Sequence, residues 1–92
     1  MSQDVPSSLR LRVITSRSLL TDADVDEVTI PGLDGYLGVL PGHRPLVMAL
    51  GSGLVKYRSG VEGESFPVRG GYAEIGPDLV VVFAELSENE GE

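Results

Sequence analysis

The chain has 92 residues, 14 of them acidic and 7 basic, giving a formal charge of −7 at pH 7 with a single histidine and no cysteine. That length holds one domain with one thin core, since domains typically run to roughly 100–150 residues. Missing cysteines exclude disulfides and thiolate metal sites and fit a reducing compartment, while the acidic balance argues against phosphate backbones, whose binding needs Lys and Arg to displace counterions.

Residues 1–8 read as a flexible segment ahead of a β domain over 9–86. In that domain Leu9, Leu11 and Val13 alternate with Arg10 and Arg12, the pattern of a half-buried strand. A turn at Ser16-Arg17-Ser18 precedes Leu19 and Leu20, and Val28 and Ile30 share one face of the next strand. Tyr36 to Leu40 is predicted as a strand between Gly35 and Pro41-Gly42, and Leu46 to Leu50 as another, closed by Gly51-Ser52-Gly53. Leu54 to Arg58 and Ser65 to Val68 form a hairpin around Ser59 to Glu64. Tyr72 to Ile75 and Leu79 to Leu86 form another around Gly76-Pro77-Asp78. The run Leu79 to Ala84 is continuously apolar and is expected to be buried on both faces. Residues 87–92, Ser-Glu-Asn-Glu-Gly-Glu, read as a short acidic disordered tail.

Short strands with a turn signal every roughly 8–12 residues point to an all-β sandwich or barrel. Every window long enough for three helical turns contains glycine or proline, each costly inside a helix. No apolar run approaches the roughly 18 residues of a membrane span. Met1 to Pro6 lacks the features of a signal peptide, so the chain is expected to act where it is made.

Enzymatic constellations are missing from the pattern. His43 stands alone in Pro41-Gly42-His43-Arg44-Pro45 with no nucleophile elbow, so a turn or interface role is expected of it. One histidine without cysteine is too few ligands for a zinc or iron site. Asp22, Asp24 and Asp26 lack the glycine and glutamate that complete a calcium loop and read as a solvated turn entering a strand. Gly32, Gly35 and Gly38 are followed by no Lys and Ser/Thr pair, so they form no phosphate loop. Arg69-Gly70-Gly71 reads as a strand-edge turn. No catalytic, metal or cofactor site is expected.

What stands out is the stretch Ile30-Pro31-Gly32-Leu33-Asp34-Gly35-Tyr36-Leu37-Gly38-Val39-Leu40-Pro41-Gly42-His43-Arg44-Pro45-Leu46, where tight turns crowd among leucines and valines. It closely resembles the amino-terminal β-sandwich domain of the epsilon subunits of F-type ATP synthases (delta in mitochondria), in which a strand enters a G-x-x-G-x-[LF]-G turn followed by P-G-H-x-P-L. Leu50-Gly51-Ser52-Gly53, Gly70-Gly71-Tyr72 and Val80-Val81-Val82-Phe83-Ala84-Glu85 extend the likeness to nearly the whole of Leu9 to Leu86, in the same order and spacing.

The resemblance implies a flattened sandwich of ten strands at the foot of a rotary central stalk, with no chemistry of its own. One edge would rest on the gamma subunit and another on the proteolipid ring of the membrane sector, joining ion-driven rotation to the catalytic head through gamma. Leu33, Asp34, Tyr36 and His43 are the expected partner contacts by resemblance. A loop fixed by proline and glycine turns loses less entropy on docking, which suits a part that transmits torque. The resemblance also implies a peripheral place on the cytoplasmic face of a bacterial inner membrane, or the stromal side of a plastid thylakoid, with contact to the membrane only through the ring.

Two departures stand out. Tyr36 replaces an acidic residue common in the family, which makes the ring contact more apolar. No carboxy-terminal helical hairpin follows, so a short form without hairpin inhibition or ATP sensing is expected. Other readings of the residues are a jelly-roll or cupin-like enzyme, a small β-barrel module for nucleic acid or sugar, and a free-standing regulator of the synthase. Three tyrosines, two phenylalanines and no tryptophan leave few stacking platforms for nucleic acid.

Overall fold

A computed structural model describes residues 6–86. The acidic tail expected over 87–92, and the flexible segment expected over 1–8 as far as residue 5, lie outside the described residues.

Alternating apolar residues set eight strands in the described region: β1 (Leu9–Ile14), β2 (Leu19–Val25), β3 (Glu27–Gly32), β4 (Gly35–Val39), β5 (Leu46–Ala49), β6 (Ser52–Ser59), β7 (Glu62–Ile75) and β8 (Leu79–Leu86). The count is eight rather than ten, in part because Ser65 to Val68 and Tyr72 to Ile75 belong to one 14-residue strand, β7. The β6–β7 turn is also tighter than expected, with Ser59 paired to Glu62 across Gly60-Val61.

Strand order is β2-β1-β8-β7-β6-β3-β4, with β5 on the other side of β7. All pairings are antiparallel except β1 with β8. The first half of β7 pairs with β6, and the second half lies between β5 and β8. One strand therefore serves both layers of a sandwich: β2, β1, β8 and β5 with one half of β7, then β6, β3 and β4 with the other.

Glycine makes that bend affordable. Ladder register shifts between Val68 and Gly71, and Gly70 and Gly71 have φ of +97° and +117°. A Cβ on Gly71 would run into the Phe83 carbonyl oxygen, so no other residue fits this bulge. Arg69-Gly70-Gly71 is thus a bulge inside a strand rather than a turn at its edge. The Leu50 N–H donates to the Gly71 carbonyl at 2.9 Å and the Gly70 N–H to the Gly51 carbonyl at 3.2 Å, tying the bend to the β5–β6 connection.

Period-two alternation fills the interior. Leu9, Leu11, Val13, Val80, Val82 and Ala73 face Val28, Ile30, Val39, Val55 and Val68 in one continuous core. No polar or charged side chain is buried among the described residues. Complete burial of each of the leucine, isoleucine and valine side chains contributes roughly 1.5–3 kcal/mol. The expected two-sided burial of β8 is corrected here: Val80 and Val82 are buried, while Val81 and Phe83 on the opposite face are only half-buried, because among the described residues no second layer covers that side.

Asp22 and Asp24 are strand residues rather than a solvated turn. They face Arg12 and Arg10 across the β1–β2 ladder. Arg10 donates to Asp22 at 2.7 Å and to Asp24 at 3.1 Å, and Arg12 reaches Asp22 at 3.4 Å. The Arg10 hydrogen bond holds the Asp22 carboxyl below the usual range, and Asp22 in turn raises the Arg10 guanidinium.

Candidate functional site

The glycine- and proline-rich stretch builds the β3–β4 hairpin. Gly32 pairs with Gly35, leaving Leu33 and Asp34 as the turn. Both keep negative φ, and Gly35 takes +134°, a conformation L side chains rarely adopt. Leu33 is consequently 72% exposed at the tip, beside the exposed Asp34.

Pro31 shapes the neighbouring surface. The β3–β6 ladder stops at Thr29 and Lys56, two residues before Pro31 would face Leu54. Having no N–H, Pro31 cannot continue the ladder, and its carbonyl accepts from the Gly51 N–H at 3.0 Å instead. The Leu54 N–H would have used that carbonyl. It donates instead to the Tyr36 hydroxyl at 3.1 Å. Tyr36 pairs with Pro31 across the ladder, so its ring crosses β3 towards β6. The absence of a side chain at Gly53 makes room, since a Cβ there would stand 2.5 Å from the Tyr36 hydroxyl and 3.0 Å from the Pro31 Cβ. Tyr36 is therefore a latch between hairpin and β6, with 56% of its surface still presented outward. Leu54, 38% exposed, extends the same apolar surface.

His43 is placed apart. Strand β4 runs away from the Leu33-Asp34 turn for roughly 14 Å at about 3.4 Å per residue. At its far end the Gly42 N–H donates to the Pro77 carbonyl at 2.7 Å, which fixes the loop against the β7–β8 turn. His43 is half-buried there, its Nδ1 lying 2.7 Å from the Arg44 carbonyl. The hairpin gathers Leu33, Asp34 and Tyr36 at one surface, and His43 belongs to the opposite end of β4.

The outward face of the other layer holds residues that sequence reasoning did not single out. Tyr72 and Phe83, opposite one another on β7 and β8, stack with ring centroids 4.7 Å apart at 22°. They line an open groove of about 1050 Å³ together with Ile14, Arg17, Arg69 and Glu85. The signal was present in the sequence: the run Leu79 to Ala84, apolar at every position, carries an apolar outer face as well as an inner one.

The family model for the ATP synthase delta/epsilon chain, beta-sandwich domain, matches residues 8–90. This chain belongs to that family. Relatives similar to this delta/epsilon β-sandwich chain include the ATP synthase epsilon chains of Moorella thermoacetica, 40% identical over 87 residues, and of Solibacter usitatus, 41% identical over 88 residues. The alignments cover 94% and 96% of this chain but 65% and 66% of those relatives, so the chain spans about two thirds of their length. Among solved structures, a chain of the Euglena gracilis mitochondrial ATP synthase OSCP/F1/c-ring assembly shares the fold at a TM-score of 0.83 and 23% identity. That match covers 91% of this chain and 54% of the Euglena chain. A chain of the Tetrahymena thermophila mitochondrial ATP synthase central stalk and c-ring gives a TM-score of 0.71 at 15% identity, over 84% of this chain and 63% of that one.

Proposed function

We propose that the chain is an epsilon-type subunit of a rotary ATP synthase, non-catalytic in itself, that joins the gamma subunit to the proteolipid ring so that ion-driven rotation reaches the catalytic head through gamma. The family match over residues 8–90 carries this reading. The hairpin supports it: an exposed leucine and tyrosine are held on a turn that Gly35, Pro31 and the Tyr36 hydroxyl fix in shape. A rigid apolar tip loses little freedom on docking and can carry load without yielding. In this reading Leu33, Asp34 and Tyr36 touch the polar loops of the ring, and His43, at the far end of β4, makes a separate contact. The protein sits at the cytoplasmic face of a bacterial inner membrane and meets the membrane only through the ring.

Co-purification tests it. A tagged chain recovered from gently solubilised membranes should bring gamma, the catalytic head and the proteolipid ring in constant proportion. Recovery of the chain alone, or with proteins unrelated to the synthase, contradicts the proposal.

A further inference from the structure

Methionine is scarce in this chain: besides Met1, only Met48 carries a thioether. Met48 sits on the short strand β5 opposite Ala73 of β7, with its side chain packed against the core. The far end of that side chain lies at the foot of the β3–β4 hairpin. A Cβ on Gly32 would stand 2.8 Å from the Met48 Cε and 3.0 Å from the Gly35 carbonyl oxygen, so the methyl occupies the room that a side chain at residue 32 would need. Gly32 is also where the hairpin meets the β5–β6 connection, through its bridge to Leu50 and through the Gly51 N–H that donates to the Pro31 carbonyl. A Cβ on Gly51 would in turn stand 2.8 Å from the Gly32 carbonyl oxygen. Backbone from both strands of the hairpin and from the β5–β6 connection therefore crowds around Gly32, and the Met48 methyl fills the space that remains.

That position gives the sulfur chemistry a structural consequence. No cysteine competes for oxidant in this chain, which leaves the thioether as its oxidation-prone group. Met48 is half-buried rather than sealed in the core, so a small oxidant reaches it without global unfolding. Oxidation turns a flexible apolar side chain into a polar one that carries an extra oxygen. A close-packed site takes an added atom only by shifting backbone or by forcing side chains off their preferred rotamers. Here the neighbour that must give way is Gly32, the residue from which the Leu33-Asp34 turn starts.

We propose that Met48 is a peroxide-sensitive site, whose oxidation to the sulfoxide displaces the base of the β3–β4 hairpin and takes Leu33 and Tyr36 out of their docking geometry. In the step, a sulfur lone pair attacks one peroxide oxygen, and an S–O bond forms as the O–O bond breaks. The sulfur-bound hydroxyl then gives its proton to the departing hydroxide, which leaves as water. Sulfur loses two electrons and the peroxide gains them. Methionine sulfoxide reductases reverse the change, which makes it a switch rather than terminal damage. The effect on docking rests on the rotor reading above, whereas the oxidation and the hairpin displacement stand without it.

Treating the folded chain with hydrogen peroxide tests the proposal, with Met48→Leu as a control of similar volume that cannot be oxidised. Mass spectrometry should find one added oxygen at Met48 in the folded wild type. The oxidised wild type should melt about 4–8 °C lower, with backbone amide shifts concentrated at Gly32 to Tyr36 and at Leu50 and Gly51. The two epimer-specific sulfoxide reductases together should restore both readouts. Met48→Gln, polar without any oxidant, should reproduce the amide shifts. In the co-purification assay the oxidised wild type should lose the proteolipid ring severalfold, while peroxide-treated Met48→Leu keeps it. Met48 that is oxidised only under unfolding conditions, an oxidised chain that melts like the reduced one, or amide shifts that spare the hairpin overturn the proposal. So does a chain with sulfoxide verified at Met48 that retains the ring in full. An untreated wild type that brings down no synthase subunit overturns the rotor reading and the docking effect, while the mass, melting and amide readouts still decide the oxidation.

Discussion

Replacing Tyr36 by phenylalanine removes one oxygen and leaves the ring, which isolates the latch from the apolar surface. The deleted hydrogen bond is the 3.1 Å contact from the Leu54 N–H, a donor left without a ladder acceptor because the Pro31 carbonyl is taken by Gly51. A net intramolecular hydrogen bond contributes about 0.5–1.5 kcal/mol, and water at this partly exposed site recovers some of it, so about 0.5–1 kcal/mol is expected. In a domain of this size that lowers Tm by about 2–8 °C. Locally, exchange of the Leu54 amide should quicken roughly two- to fivefold while the β1–β8 amides follow global stability. Gly53→Ala provides an independent perturbation, since its Cβ would stand 2.5 Å from the same hydroxyl. If the latch is the cause, the two changes are non-additive, and Tyr36→Phe costs less in the Gly53→Ala background. Thermal unfolding with amide exchange by NMR reads all three quantities. A Tyr36→Phe protein within about 1 °C of wild type, with unchanged Leu54 exchange, refutes the reasoning.

Gly71→Ala combines a positive φ with a Cβ driven into a backbone carbonyl, so it should destabilise by about 3 kcal/mol or more, measured by urea unfolding. Leu33→Asp changes a side chain that is 72% exposed. It should melt like the wild type and lose association with the proteolipid ring in the co-purification assay. Because the Asp22 carboxyl titrates below its ordinary value in the folded protein, its ion pairs contribute above the unfolded pKa near roughly 3.9 and are lost as pH falls through the lower folded value. Asp22→Asn should therefore flatten the decline in Tm below about pH 4, and an unchanged acid limb counts against the ladder.

Strand identity was legible because inward residues repeat with period two and turns are marked by glycine and proline, as at Gly35 and Gly76-Pro77. Continuity was not. Gly70-Gly71 reads as a turn in one dimension, and only the ladders on either side show it to be a bulge that carries one strand across two layers. Asp22 and Asp24 were misplaced for a related reason: alternation of carboxylates looks like solvent until Arg10 and Arg12 are found opposite them in register. In the hairpin, the exposure of Leu33 and Asp34 follows from the turn spacing. The role of the Tyr36 hydroxyl follows from a missing proline N–H on another strand, a long-range consequence that no local motif announces. The apolar outer face of β8 was visible as composition and misread as burial, because sequence cannot show whether a second layer exists to cover it.

The central claim is mechanical coupling, and ion pumping measures it. Inverted membrane vesicles lacking this chain should hydrolyse ATP without building an ion gradient, and adding back the purified chain should restore pumping in proportion to the amount bound. Full pumping in vesicles that contain none of the chain contradicts the account.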